Sequence, residues 1–232
     1  MSDIPEWLIK RPELGLTKSD LSAFQTLYSD AVARGDGGTI TYTYHQPVWK
    51  FLSYIGEKYP LLFHGTGKPD IDEFVPRQSN DSQEFGNQRA VYAASDPLWA
   101  TYFAVVNRDG PVRSLVNTCI RFVSDEVDPD PHYFFSINED AFDADTWRSG
   151  TLYLLPRDGF EQQGNGSAGG YETELQQWRS FDPVKPLAKM MIRPEDFPFL
   201  EHVRGHDVGK VSVRARENPK EFPCWTSASA NC

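Results

Sequence analysis

The stretch Tyr59-Pro60-Leu61-Leu62-Phe63-His64-Gly65-Thr66-Gly67 constrains this chain most. An apolar run of this length, bounded by glycine, reads as a buried strand. It stops abruptly at His64, Gly65 and Thr66, so the strand delivers an imidazole and bare backbone to its end. Glycine there lets another group approach the main chain closely. An ordinary strand end with a satisfied histidine is the plainer reading, and the rest of the chain must decide between the two.

Upstream, Leu21, Phe24, Leu27, Tyr28, Ala31 and Val32 recur at helical spacing, which predicts a helix over 19–34 with Ser19 or Asp20 as N-cap and Gly35 as its stop. Alternating β-branched and aromatic residues predict a strand over 39–44. Pro47 opens a short helix that Gly56 ends. Downstream, residues 77–89 form a polar loop, a class that in compact domains tends to be functional. Ala90 to Ala94 is a short strand, and Ser95 or Asp96 caps a mostly apolar helix beginning near Pro97. Strands follow at 116–123, 132–137, 150–156, 171–180 and 184–192, with a glycine-rich loop at 157–170. One helical region followed by many short strands indicates an α+β fold.

Composition narrows the function classes. At 232 residues with 39% hydrophobic and 13% aromatic content, the chain can build one large core. A formal net charge of −10 makes nucleic acid an unfavoured partner without excluding a local basic groove. The three cysteines have no metal-ligand spacing and are odd in number, so a reducing compartment is expected rather than a disulfide framework. Without a basic n-region or a long apolar run, the expectation is a cytoplasmic protein, or one exported without a recognisable signal, and no membrane partner. Five scattered histidines, with His202 and His206 the only close pair, do not suggest a metal site. The usual phosphate-loop, dinucleotide, serine-hydrolase and zinc motifs are missing.

What remains is an ordered constellation. It comprises FHGTG, a polar loop, GNQRAVYAASDPLWATYFA, further strands, GGYETELQQW and VKPLAKMMI. In this order the chain resembles, over roughly residues 48–200, the ADP-ribosyltransferase superfamily. The likeness is to its histidine–tyrosine–glutamate branch, which includes the poly-ADP-ribose polymerases and several bacterial toxins. The resemblance implies a split antiparallel β-sandwich flanked by a few helices. It divides the chain into an N-terminal extension (1–47), a catalytic domain (48–215) and a C-terminal tail (216–232).

The resemblance also implies a reaction, namely cleavage of the nicotinamide–ribose bond of NAD and transfer of ADP-ribose to an acceptor. A carboxylate stabilises the oxocarbenium cation that develops, and aromatic faces hold nicotinamide. His64 would bond a ribose hydroxyl, Gly65 the carboxamide, and Thr66 would join them in binding NAD. Tyr92 would stack on nicotinamide, with Tyr102 or Phe103 as the second aromatic. Residues 80–89 would form a loop over the donor. Glu174 would be the catalytic carboxylate. Glu172, on the same strand face, would help bind the acceptor. Arginine-modifying relatives begin their motif with arginine where this chain has His64, so the acceptor stays open, as does the oligomeric state. An NAD glycohydrolase, or a non-catalytic module binding NAD or a partner, shares the same donor half.

Overall fold

The computed structural model describes residues 4–35, 37–81 and 83–217. In chain order the strands are β1 (Ile9–Lys10), β2 (Leu61–Thr66), β3 (Arg77–Gln78), β4 (Arg89–Ala94), β5 (Leu115–Phe122), β6 (His132–Asn138) and β7 (Gly150–Pro156). They continue as β8 (Glu161–Gln162), β9 (Gly166–Ala168), β10 (Tyr171–Leu175), β11 (Gln177–Ser180), β12 (Ala188–Ile192) and β13 (Arg204–His206). The α-helices are α1 (Lys18–Ala33), α2 (Val48–Lys58), α3 (Pro97–Val105) and α4 (Val208–Glu217).

The strands form two sheets. One has the order β1-β6-β5-β10-β9, with β13 also against β6. The other has the order β12-β7-β2-β4-β11-β8, with β3 against β4. Strand pairing is antiparallel throughout except for β13 on β6. The molecule is therefore α+β and mostly antiparallel, consistent with a β-sandwich.

Gln176 joins the sheets. Its N–H donates to Cys119 O in the first sheet (3.2 Å), and its carbonyl accepts from Ser95 N in the second (3.0 Å). Its buried side chain accepts from Ser95 Oγ at 2.7 Å. The expected single strand over 171–180 is thus two strands, because its two ends serve different sheets. The expected strand over 184–192 begins only at Ala188, after Pro186, which has no N–H for a ladder. Residues 39–44 are not a strand. Thr39 bridges Lys189, while Tyr42 and Tyr44 turn their rings onto Phe24, so the alternation serves packing rather than pairing.

Between the sheets lies α3, capped by the buried Asp96, whose carboxylate accepts from Trp99 N and from Tyr133 OH, both at 2.8 Å. Burial raises the Asp96 pKa. Two glycines let this helix sit directly on the second sheet. A Cβ on Gly65 would fall 1.8 Å from Ala100 O, and one on Gly150 would fall 2.0 Å from Ala104 O. Around α3 the inner faces pack Phe63, Leu152 and Leu154 against Tyr133, Phe135 and Ile137 in one core. Leu62, Val91, Ala93, Tyr153 and Leu155 form a second cluster on the outer face, as period-two alternation requires.

The N-terminal segment belongs to this body, since β1 extends the first sheet and Phe24 of α1 lies in the main core. The N-cap of α1 is Thr17 rather than Ser19 or Asp20. Asp20 reaches back to Thr17 in a capping box, and the Thr17 backbone N–H and hydroxyl hold its pKa at about 2. Helix α2 runs through Gly56 to Lys58, and α4 was not expected. The boundary expected at 215 falls inside α4, and residues 218–232 of the expected tail lie outside the described residues.

Candidate functional site

Strand β2 meets β7 along its whole length, from Leu61 opposite Pro156 to Thr66 opposite Thr151. Toward β4 it pairs at Phe63–Ala94, and among the described residues no further pair follows. Past that pair the two strands are bridged by a side chain. His64 Nδ1 lies 2.7 Å from Tyr92 O. A carbonyl only accepts, so Nδ1 carries the hydrogen and Nε2 keeps its lone pair. Burial lowers the His64 pKa against the opposing pull of that hydrogen bond, which favours the neutral ring. No protein group among the described residues bonds Nε2. The imidazole is thus an oriented acceptor at an opening in the sheet, able to receive a hydroxyl.

Gly65 has a different primary reason from the one expected. Its missing side chain admits α3, not a ligand, on the helix-facing side. Its backbone pairs Leu152 on one edge and has no ladder partner on the β4 edge. Thr66 Oγ1 accepts from Lys68 N at 3.4 Å.

Tyr92, half-buried on β4, uses its hydroxyl to hold the preceding loop, donating to Phe85 O and accepting from Gln88 N, both at 2.9 Å. Arg179 stands opposite Tyr92 on β11 and secures the same loop. Its Nη1 donates to Phe85 O at 3.1 Å and its guanidinium lies 4.0 Å from the Phe85 ring. The expected polar loop is therefore tied down from two strands. Nothing in the local sequence marks Arg179 for this, because its partner is 94 residues away.

The choice between the two helix aromatics resolves by burial. Tyr102 is fully buried against Phe135 and Phe197, and its hydroxyl donates to Ser136 O at 3.2 Å. Tyr102 is therefore a core residue. Phe103 is half-buried, one helical step from Ala100 and Ala104 where α3 meets Gly65. Its ring packs on Trp99 and Tyr102 at the edge of the main core.

Glu172 and Glu174 share one face of β10, with buried Thr173 between them pointing the other way. Glu172 accepts from Asn165 Nδ2 at 2.6 Å, and Glu174 stands opposite Arg121 on β5. Glu174 and His64 belong to different sheets, on β10 and β2 respectively. Successive pairs put Phe63, Ala94 and Gln177 at one level, so His64 is level with Trp178. Gln177 occupies the level next to the opening, a residue the sequence reading did not single out.

His202 and His206 also part company. His202 is exposed, whereas His206 is buried between Ser136 Oγ (2.7 Å) and Ser114 Oγ (2.8 Å), and burial lowers its pKa to about 4. Among the described residues no three His, Cys, Asp or Glu side chains form a metal-binding group, and no helix is long and apolar enough to cross a membrane. A separate shallow groove of about 520 Å³ runs along α1 past Ser22, Thr26 and Tyr44, away from β2. Comparison with known protein families, curated proteins and solved structures finds no match to this chain.

Proposed function

We propose that the protein binds NAD at the opening between β2 and β4 and acts as an ADP-ribosyltransferase. One observation carries the reading. The β2–β4 ladder stops after Phe63–Ala94, and the next residue holds a neutral imidazole across the gap with Nε2 free to accept. In this reading Nε2 receives a ribose hydroxyl, and the rings of Tyr92 and Phe103 hold nicotinamide. The nicotinamide–ribose bond breaks with its electron pair leaving on nicotinamide. The acceptor then adds to the ribosyl cation and releases its proton. If water adds instead, the same site is a glycohydrolase. Glu174 supplies the carboxylate that offsets the developing positive charge.

The placement of Glu174 favours a second reading, a module that binds the dinucleotide without cleaving it. Glu174 belongs to the sheet that does not carry His64. Nicotinamide release by the wild type and by Glu174→Gln separates these readings. The transferase reading expects release by the wild type and a loss of about 100-fold in the variant, the size of a removed charge-stabilising group. Equal release by both proteins removes Glu174 from the chemistry. An NAD-dependent rise in Tm without release leaves the binding module. Neither release nor a Tm shift overturns both readings.

A further inference from the structure

Gly67 plays no part in the reading above, yet its surroundings are tightly specified. A Cβ on Gly67 would fall 2.2 Å from Cζ of Arg148, 2.3 Å from Nη2 and 2.6 Å from Nε. The guanidinium thus rests on bare backbone, two residues beyond Gly65 and on the face that α3 covers. Arg148 is fixed there by its own main chain. Its N–H donates to Val105 O at the end of α3 (2.8 Å), and neighbouring Trp147 bridges Val106. The end of α3, the end of β2 and the start of β7 therefore converge on this one cation.

The charge is answered on one side only. Nη1 donates to Asp109 Oδ2 at 2.5 Å and to Asn107 Oδ1 at 3.5 Å. The Asp109 side chain is 87% exposed, so that pair is solvent-screened and displaceable. Nε is buried without an acceptor, and no described residue accepts from Nη2. The Nε/Nη2 edge is the one on which arginine binds two oxygens of a phosphate or carboxylate side by side. A buried donor without a partner is a standing cost that a bound oxygen removes.

We propose that Arg148 is an anion-binding group beyond the end of β2, taking two oxygens of a ligand diphosphate on its Nε/Nη2 edge. That the diphosphate belongs to NAD rests on the reading above, whereas the anion site itself does not. Gly67 is then required because any side chain there would displace the guanidinium. Asp109 holds the arginine until the anion arrives.

Calorimetric titration with inorganic pyrophosphate, ADP-ribose and nicotinamide, on the wild type, Arg148→Gln, Arg148→Lys and Asp109→Asn, tests this. Thermal melts first establish that each variant folds. Arg148→Gln is expected to weaken pyrophosphate and ADP-ribose at least tenfold and to leave nicotinamide unchanged. Arg148→Lys, which keeps the charge but loses the fork, falls between. Asp109→Asn tightens pyrophosphate severalfold by removing the carboxylate that offsets the arginine's charge. Pyrophosphate binding that depends on Arg148, without any binding of ADP-ribose, keeps the anion site and discards NAD as its ligand. Pyrophosphate binding that is absent, or equal in wild type and Arg148→Gln, overturns the proposal whatever NAD does.

Discussion

At the end of β2 the backbone is enclosed. Gly65 lies under α3, Gly67 under Arg148, and His64 is tied to the neighbouring strand. Along β10 the opposite holds for the other face, since Glu172 and Glu174 stand exposed while Tyr171, Thr173 and Leu175 point inward. The first region is specified by packing, so its residue types follow from the fold whether or not a ligand binds. In the second region nothing in the packing requires carboxylates at 172 and 174. A functional argument therefore has more weight at β10 if the variants prove silent in stability. At β2 it must rest on the one group the fold leaves unused, Nε2 of His64.

Gly65→Ala gives the largest expected effect. Its Cβ would meet the Ala100 carbonyl at 1.8 Å, a clash with backbone that no rotamer relieves. A loss of about 3 kcal/mol or more is expected in urea denaturation. A loss under about 1 kcal/mol would mean that α3 is not seated as described, and the comparison would fail at its stronger end.

Acid should also separate enclosed from open groups. Burial lowers the pKa of both His64 and His206, the latter to about 4. Between that value and the ordinary 6.5 the unfolded chain binds a proton that the folded chain refuses, so stability rises with pH there and falls on acidification. Tm is expected to decline from about pH 6.5 toward pH 4, and His206→Gln should flatten the decline. An unchanged slope in that variant would contradict the buried, neutral placement between Ser114 and Ser136.

Tyr92→Phe has a smaller, local effect. It removes a hydroxyl bonded to Phe85 O and Gln88 N, worth about 1 kcal/mol. Hydrogen exchange should quicken over residues 83–88 while Tm moves little. Protection equal to the wild type would leave Arg179 as the sole anchor of the loop.

Glu172→Gln and Glu174→Gln should lie within about 0.5 kcal/mol of the wild type, as exposed positions usually do. A loss above about 1 kcal/mol in either would make the carboxylates structural and remove the contrast with β2.

Much of the fold was legible because it rests on local patterns. The apolar run into His64, the Asp96 cap before Pro97, the body of α1 and strands β5, β6 and β7 all show in short windows. Thr17 as cap was hidden because the capping box reads through Asp20 three residues later. The strand expected at 39–44 failed because aromatic alternation fits packing on Phe24 as well as it fits a ladder. Of the candidate site, His64, Tyr92 and one of Tyr102 or Phe103 were named through the family resemblance. Arg148, Arg179 and Gln177 were not, since each acquires its partners from segments distant in sequence.

The sequence by itself determined that β2 carries a histidine and a glycine near its end, that a helix follows β4, and that two carboxylates share one face of β10. Those features depend on periodicity, capping and residue type, which act within a few residues. Only the tertiary structure decided that Gly65 admits a helix, that Tyr102 is core while Phe103 is not, and that Gln176 sends Glu174 to the other sheet. It also decided that Gly67 and Arg148 meet. The physical reason is common to all four. Each depends on which surfaces close against each other and which backbone groups remain to be bonded once they have, and that is a property of the packed whole.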